Sequence, residues 1–184
     1  NAPEMVRLQI EMLVELGVRT LVLTAAVGSI NERIRVGDVV VVKGLVTLHS
    51  PSLPLHTGEF CSPEDQLDQG LRDMAEAEAQ AAGLNCHRGI HAMVRGPWFE
   101  GRIADKRILG HEDGAQVVGM SILPELAVFA AVSGGLTPHR ALALTFVTNT
   151  ASETHSHEQN QARARESAGK LGTLLAGIVR QIGG

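Results

Sequence analysis

Apolar positions along this chain switch repeatedly between helical spacing and short continuous runs. Met5, Leu8, Met12, Leu13 and Leu16 recur at helical spacing after Pro3 and stop at Gly17, which predicts a first helix. Residues 20–25 form a short apolar run of the buried-strand kind, breaking into the small-residue turn Ala26-Val27-Gly28-Ser29. A second strand is predicted over 38–43. Residues 44–62 carry Pro51, Pro54, His49 and His56 with little periodicity, the mark of a long irregular loop of a functional kind. Ser62-Pro63-Glu64-Asp65 then reads as the cap of a helix reaching about residue 82. Further on, the pattern predicts strands over 89–94, 116–119 and 141–147. Helices are predicted from about 100 to 109, over 123–132, and over 157–182, the last with Leu171, Leu174, Leu175 and Ile178 on its inner face. Alternation of this kind specifies an α/β layer fold with a largely parallel sheet.

Composition narrows the classes of function. The 184 residues favour a single domain over 1–184, large enough to bury a core without a disulfide or metal staple. Hydrophobic residues make up 44% and charged residues 20%, which excludes global disorder. Sixteen Lys and Arg against 20 Asp and Glu leave a net charge of −4, without the basic excess that a nucleic-acid partner requires. Four Phe, one Trp and no Tyr supply too few platforms for stacking along a single strand. Cys61 and Cys86 support neither a disulfide framework nor a thiolate zinc site. The longest apolar runs fall short of a membrane span, and residues 1–7 are polar and mixed, unlike a signal peptide. The expectation is a cytoplasmic protein without nucleic-acid or membrane partners.

Four predicted strand ends break into small, polar or acidic residues: the 24–29 run, Gly96-Pro97-Trp98-Phe99-Glu100, Gly119-Met120-Ser121, and Thr148-Asn149. Ligands of α/β sheets sit at such ends, so the four breaks are expected to converge on one mostly apolar pocket with few polar groups. The set lacks a nucleophile-and-base pair. It suits recognition of a heterocycle plus an anion, with one reactant attacking the other. Each residue also has a plainer reading. Phe99 and Met120 suit an ordinary core, Glu100 a first-turn helix acid, Ser121 an N-cap for the 123–132 helix, and Asn149 a turn after a strand. His155-Ser156-His157 does not place two imidazoles on one helix face, so no metal site is expected.

In that order, the motifs Gly96-Pro97-Trp98-Phe99-Glu100, Val118-Gly119-Met120-Ser121, Pro124-Glu125, Thr148-Asn149 and Ser156-His157-Glu158 resemble the trimeric purine nucleoside phosphorylases. That family also contains the methylthioadenosine phosphorylases. The resemblance covers nearly the whole chain and implies a three-layer α/β/α fold around a mixed, largely parallel central sheet. It implies phosphorolysis of a 6-oxopurine nucleoside by inorganic phosphate as co-substrate, with no cofactor, in a homotrimer. On this resemblance Asn149 donates to N7 or O6 of the base and Glu100 accepts from N1–H. Phe99, Val118 and Thr148 surround the base, Met120 lies beneath the ribose, and His157 meets the 5′-hydroxyl. Ser121 and the Ala26 N–H hold phosphate, and Phe60 resembles a loop phenylalanine that reaches a neighbouring subunit's sugar site.

Two departures accompany the match. The family's N-terminal Gly-rich phosphate loop and Arg-x-His element have no counterpart here, which leaves open a non-catalytic nucleoside-binding or assembly role. Ala25 stands where the purine nucleoside phosphorylases commonly have Asn, a lean toward the methylthioadenosine branch, whereas Asn149 leans the other way.

Overall fold

The structure, a computed structural model, describes residues 3–47, 62–94, 104–111, 114–133, 139–150, 162, 165 and 168–183. In chain order the elements are α1 (Pro3–Glu15), β1 (Thr20–Ser29), β2 (Val39–Val46), a 3₁₀ turn (Pro63–Gln66), α2 (Gln69–Ala81), β3 (Cys86–Met93), α3 (Ala104–Leu109), β4 (Val117–Gly119), α4 (Leu123–Val132), β5 (Arg140–Thr150) and α5 (Ala168–Gly183).

The strands close into a ring in the order β1-β4-β3-β2-β5. Pairing is parallel for β1–β5, β2–β3 and β3–β4, and antiparallel where the short contacts β1–β4 and β2–β5 seal the ring. The mixed, largely parallel sheet is therefore present. Helices cover it on two sides, and the two-residue strand period decides which side chain meets which helix. Leu142, Leu144 and Phe146 of β5, with Val39 and Val41 of β2, pack against Leu71, Ala75 and Ala79 of α2 and Leu174 and Ile178 of α5. The alternate residues Ala141 and Ala143 join Ile10 of α1 and Leu126 and Phe129 of α4 on the other side. Helix α4, apolar apart from Glu125 in its first turn, buries six of its residues, as a helix enclosed in a core must.

Several boundaries differ from the sequence pattern for physical reasons. The helix expected to start at Ser62 begins instead at Gln69: Ser62 makes no side-chain cap, while Asp68 accepts from the Leu71 N–H at 2.7 Å. Leu67 bridges to Ala141 between the two turns and interrupts the helix. β1 does not break at Ala26 but runs to Ser29, because β5 pairs with it along its whole length. β2 likewise continues through Gly44 to Val46, with Glu64 accepting from the Leu45 N–H. β5 extends to Thr150, so Thr148 and Asn149 lie within a strand. The rest of the 44–62 loop, the Gly96–Glu100 motif and the start of the last helix fall outside the described residues.

Polar groups inside the ring fall into two kinds. Asp38, 5% exposed, accepts from the Arg35 N–H, from Asn85 Nδ2 at 3.2 Å and from His87 Nε2 at 2.9 Å, so its burial is compensated. His91, 0% exposed on β3, has no hydrogen-bond partner on either ring nitrogen among the described residues. Burial holds its imidazole well below the ordinary 6.5, at about 4. Between those values the unfolded chain binds a proton that the folded chain excludes, so stability declines as pH falls from 6.5 toward 4. The full difference amounts to about 3 kcal/mol. Denaturant unfolding at pH 7 and pH 4.5 should show this decline, and His91→Leu should remove this residue's share of it. A variant that declines as steeply as the parent would show that the imidazole is solvated or partnered.

Candidate active site

Register joins residues from three of the strands whose ends were named from the sequence. Gly28 of β1 is the Cα partner of Asn149 on β5 and of Val118 on β4, so the three residues form one row across three strands. Gly119 pairs with Met93 of β3, and the Val94 N–H donates to the Gly119 carbonyl at 2.9 Å. The chain leading into the Gly96–Glu100 motif therefore leaves the sheet beside Gly119. The register slips between Val27 and Gly28, a bulge that sets Gly28 opposite Asn149 rather than Thr148.

Close approach explains the glycine. A Cβ at Gly28 would lie 2.7 Å from Asn149 Nδ2, so only a residue without a side chain lets the carboxamide fold over the strand. Asn149 is buried at 6% exposure. The Thr148 hydroxyl, a single donor, lies within hydrogen-bond distance of two acceptors, Asn149 Oδ1 at 3.2 Å and the Val27 carbonyl at 3.3 Å. With Oδ1 facing a donor, Nδ2 is the edge of the amide turned over Gly28. Gly119 is constrained from the opposite side. A Cβ there would fall 3.0 Å from Val27 Cγ1 and 3.1 Å from His91 Cε1, so the bare imidazole packs directly beneath the row.

Met120 and Ser121 follow Gly119 at the mouth, with Met120 51% exposed. Ser121 does not cap α4. The N-cap position belongs to Ile122, which has φ 80° and ψ −57° and is 1% exposed. That is the geometry of a strained γ-turn, rare for a β-branched residue and maintained here by burial against α4 and its neighbours. The turn separates Ser121 from the helix and fixes its presentation.

Ala26 stands apart from this row. It pairs with Phe146, three residues before Asn149, and is exposed in the middle of β1. It lines a cleft of about 210 Å³ together with Thr24, Phe146, Leu171, Leu174 and Leu175, whose walls are apolar. A second, larger cleft of about 780 Å³ runs between Arg33, Arg35, Asp38, Asp73, Glu76 and His87. Arg88 bridges its acids, bonding Asp73 and Glu76 and holding Asp73 below the ordinary carboxylate range. Register thus sets Val118 and Asn149 on either side of Gly28, with Thr148 next to Asn149 in β5 and Met120 and Ser121 following β4 in sequence, while Ala26 pairs three positions earlier in β5. Phe60, Phe99, Glu100 and His157 lie outside the described residues. Among the described residues no group of three or more His, Cys, Asp and Glu is placed to hold a metal, and no helix is long and apolar enough to cross a membrane. Sequence reasoning passed over His91 and Ile122. His91 carries a legible signal, a lone polar residue in the otherwise apolar run Ile90-His91-Ala92-Met93-Val94.

Comparison with known proteins gives a consistent picture. The purine nucleoside phosphorylase of Mycobacterium tuberculosis is 33% identical over 168 residues, covering 89% of this chain and 58% of that protein. The S-methyl-5′-thioadenosine phosphorylase of Thermofilum pendens is 33% identical over 129 residues, covering 65% of this chain and 47% of its own. A crystal structure of isoform 2 of the purine nucleoside phosphorylase from Schistosoma mansoni, in complex with cytosine and ribose-1-phosphate, superposes with a TM-score of 0.81 at 25% identity. It covers 97% of this chain and 66% of that one. The chain spans about half the length of the curated relatives it matches. A model of the phosphorylase superfamily matches residues 1–180, and the chain belongs to that family.

Proposed function

We propose that residues 1–184 form the C-terminal portion of a purine nucleoside phosphorylase domain, a pentosyltransferase that cleaves 6-oxopurine ribo- or deoxyribonucleosides with inorganic phosphate and no further cofactor. The observation that carries this reading is the Asn149 carboxamide, buried over Gly28 with its Oδ1 facing the Thr148 hydroxyl. In phosphorolysis a phosphate oxygen bonds to C1′ as the C1′–N9 bond breaks, and the electron pair departs with the purine. Stabilising that developing charge gives the largest gain, and a neutral amide donor at N7 or O6 does so without an added proton. Glu100 accepts from N1–H, Phe99 and Val118 flank the base, Met120 underlies the sugar, and His157 meets the 5′-hydroxyl. Ser121 and the Ala26 N–H contribute donors to the phosphate.

A methylthioadenosine phosphorylase is the second reading, supported by Ala25 and by the Thermofilum pendens relative. Asn149 weighs against it, because the 6-amino group of adenine calls for an acceptor there. We also propose a homotrimer in the cytoplasm. Leu48, Leu53, Leu55 and Phe60 give the 44–62 segment more apolar surface than a solvated loop carries, which favours burial against a neighbouring copy.

Phosphate-dependent release of hypoxanthine from inosine by the natural polypeptide containing this sequence tests the reading. Release without phosphate would indicate a hydrolase instead. Asn149→Asp should lower the ratio of kcat/KM for inosine to that for adenosine by roughly one to two orders of magnitude, since opposed lone pairs replace a donor–acceptor pair. An unchanged ratio would remove Asn149 from the base site. Light scattering should give three times the subunit mass, with Phe60→Ala raising KM for nucleoside at unchanged mass. Full activity as a dilute monomer would exclude both the trimer and the shared site.

A further inference from the structure

His91 has no task in the proposed reaction, and its surroundings do not explain it as an ordinary core residue. Ser29, Asp38, Thr145, Thr148 and Asn149 are likewise buried and polar, and each takes part in a hydrogen bond. Both nitrogens of His91 are buried without one among the described residues. Burying an unpaired imidazole costs free energy that an apolar side chain would not, so a gain in stability does not account for a histidine there. Strand pairing shows where the ring goes. His91 is the Cα partner of Val117, and Met93, two residues on along the same face of β3, is the partner of Gly119. A Cβ at Gly119 would lie 3.1 Å from His91 Cε1 and 3.3 Å from Nε2, so the imidazole leans along β4 and its far edge takes the space that a side chain at Gly119 would need. Val27 Cγ1 borders the same space, 3.0 Å from that Cβ position. A planar ring presents a thin edge to the strand, where anything bulkier would displace the backbone.

We propose that His91 is a positioning residue: its ring edge, packed under Gly119, sets where Met120 and Ser121 stand against the sugar and the phosphate. The proposal rests on the phosphorylase reading and adds to it a residue that does not itself touch substrate. Met120 and Ser121 are the only residues between two fixed points. On one side the Gly119 carbonyl accepts from the Val94 N–H at 2.9 Å while the imidazole supports the glycine from below. On the other, Ile122 is 1% exposed and fixed at φ 80° and ψ −57°. Interior atoms packed this closely transmit a displacement rather than absorb it. Removing the ring lets Gly119 sink and carries the turn with it, and a methyl added at Gly119 pushes the turn the opposite way.

The test uses the natural polypeptide containing this sequence, with its methionine methyls labelled with carbon-13 and the Met120 signal assigned by its loss in Met120→Leu. His91→Ala should lower kcat/KM for inosine about tenfold or more, through KM for nucleoside and phosphate and with kcat held within about threefold, and should shift the Met120 methyl signal. His91→Asn, planar and polar but without Cε1 and Nε2, should behave in the same way. Gly119→Ala should also lose about tenfold, and the double variant His91→Ala, Gly119→Ala should exceed either single one at least about threefold, because the two changes relieve each other. Leu71→Ala, a truncation in the core around α2, should lower the melting temperature while leaving both KM values and the Met120 signal in place. Unchanged KM in both His91 variants despite a lowered melting temperature would overturn the proposal and make the histidine a core residue. So would a Leu71→Ala variant that moves KM as far, or a double variant no better than the singles. Failure of the unaltered polypeptide to release hypoxanthine from inosine would sink the phosphorylase reading instead. The Met120 signal then decides separately whether His91 positions the turn, since it moves with the His91 variants or it does not.

Discussion

The parallel ladder between β1 and β5 is the constraint on which the rest of the molecule depends. It joins segments far apart in sequence, and no local signal obliges them to meet. Once residue 20 is set against residue 140, the two-residue period sends Leu142, Leu144 and Phe146 to α2 and α5 and leaves the smaller Ala141 and Ala143 for α1 and α4. The same register carries the site. Without the slip after Val27, Gly28 would face Thr148, and a threonine side chain cannot lie over the strand as the Asn149 carboxamide does. One extra residue in β5 therefore decides which polar group is presented.

Burial of polar groups marks off the scaffold from the site. Asp38 meets three donors from the Arg35 backbone, Asn85 and His87, and the Val147 N–H bonds its carbonyl at 3.0 Å, so it fastens the start of β2 to β5. That arrangement stabilises the ring. The cluster around Gly119 is arranged differently. Ile122 retains a strained backbone, and His91 is buried with neither nitrogen bonded among the described residues. Each feature costs folding free energy, and both adjoin the Gly119-Met120-Ser121 turn. Strain and unpaired polarity of this kind persist where surrounding packing over-determines them, commonly at functional sites.

Much of this was legible in the sequence, and the failures share a cause. The α4 limits, the inner face of α5 and the order of helices and strands follow from periodicity alone, because each is a local property of the chain. The ends of β1, β2 and β5 are not legible in the sequence, because glycines, alanines and polar residues there read as breaks. Pairing overrode propensity at each of them: β5 holds Ala26 to Ser29 in strand, and β3 holds Gly44 to Val46. Ser62-Pro63 reads as a helix cap but is an equally good opening for a 3₁₀ turn, and only the Leu67 bridge to Ala141 shows that the helix begins afresh at Gln69 with Asp68 as its cap. That Asn149 and Val118 share one row follows from the registers of three strands, which no local feature of the sequence displays. His91 sits in no motif, because an imidazole on a buried strand position shows only as a lone polar residue in an apolar run.

The row that Asn149 forms with Gly28 and Val118 also shows how unevenly the described residues supply what the proposed phosphorolysis requires. On that proposal a base would meet a buried amide, with a hydroxyl beside its Oδ1 and apolar residues on the neighbouring strands. Anion binding is poorly furnished. Around Ala26 the cleft is lined by Leu171, Leu174, Leu175 and Phe146, and Ser121 brings one hydroxyl from another turn. A phosphate dianion taken from water into such surroundings needs charged or multiple donors to repay its desolvation, and two neutral ones do not suffice.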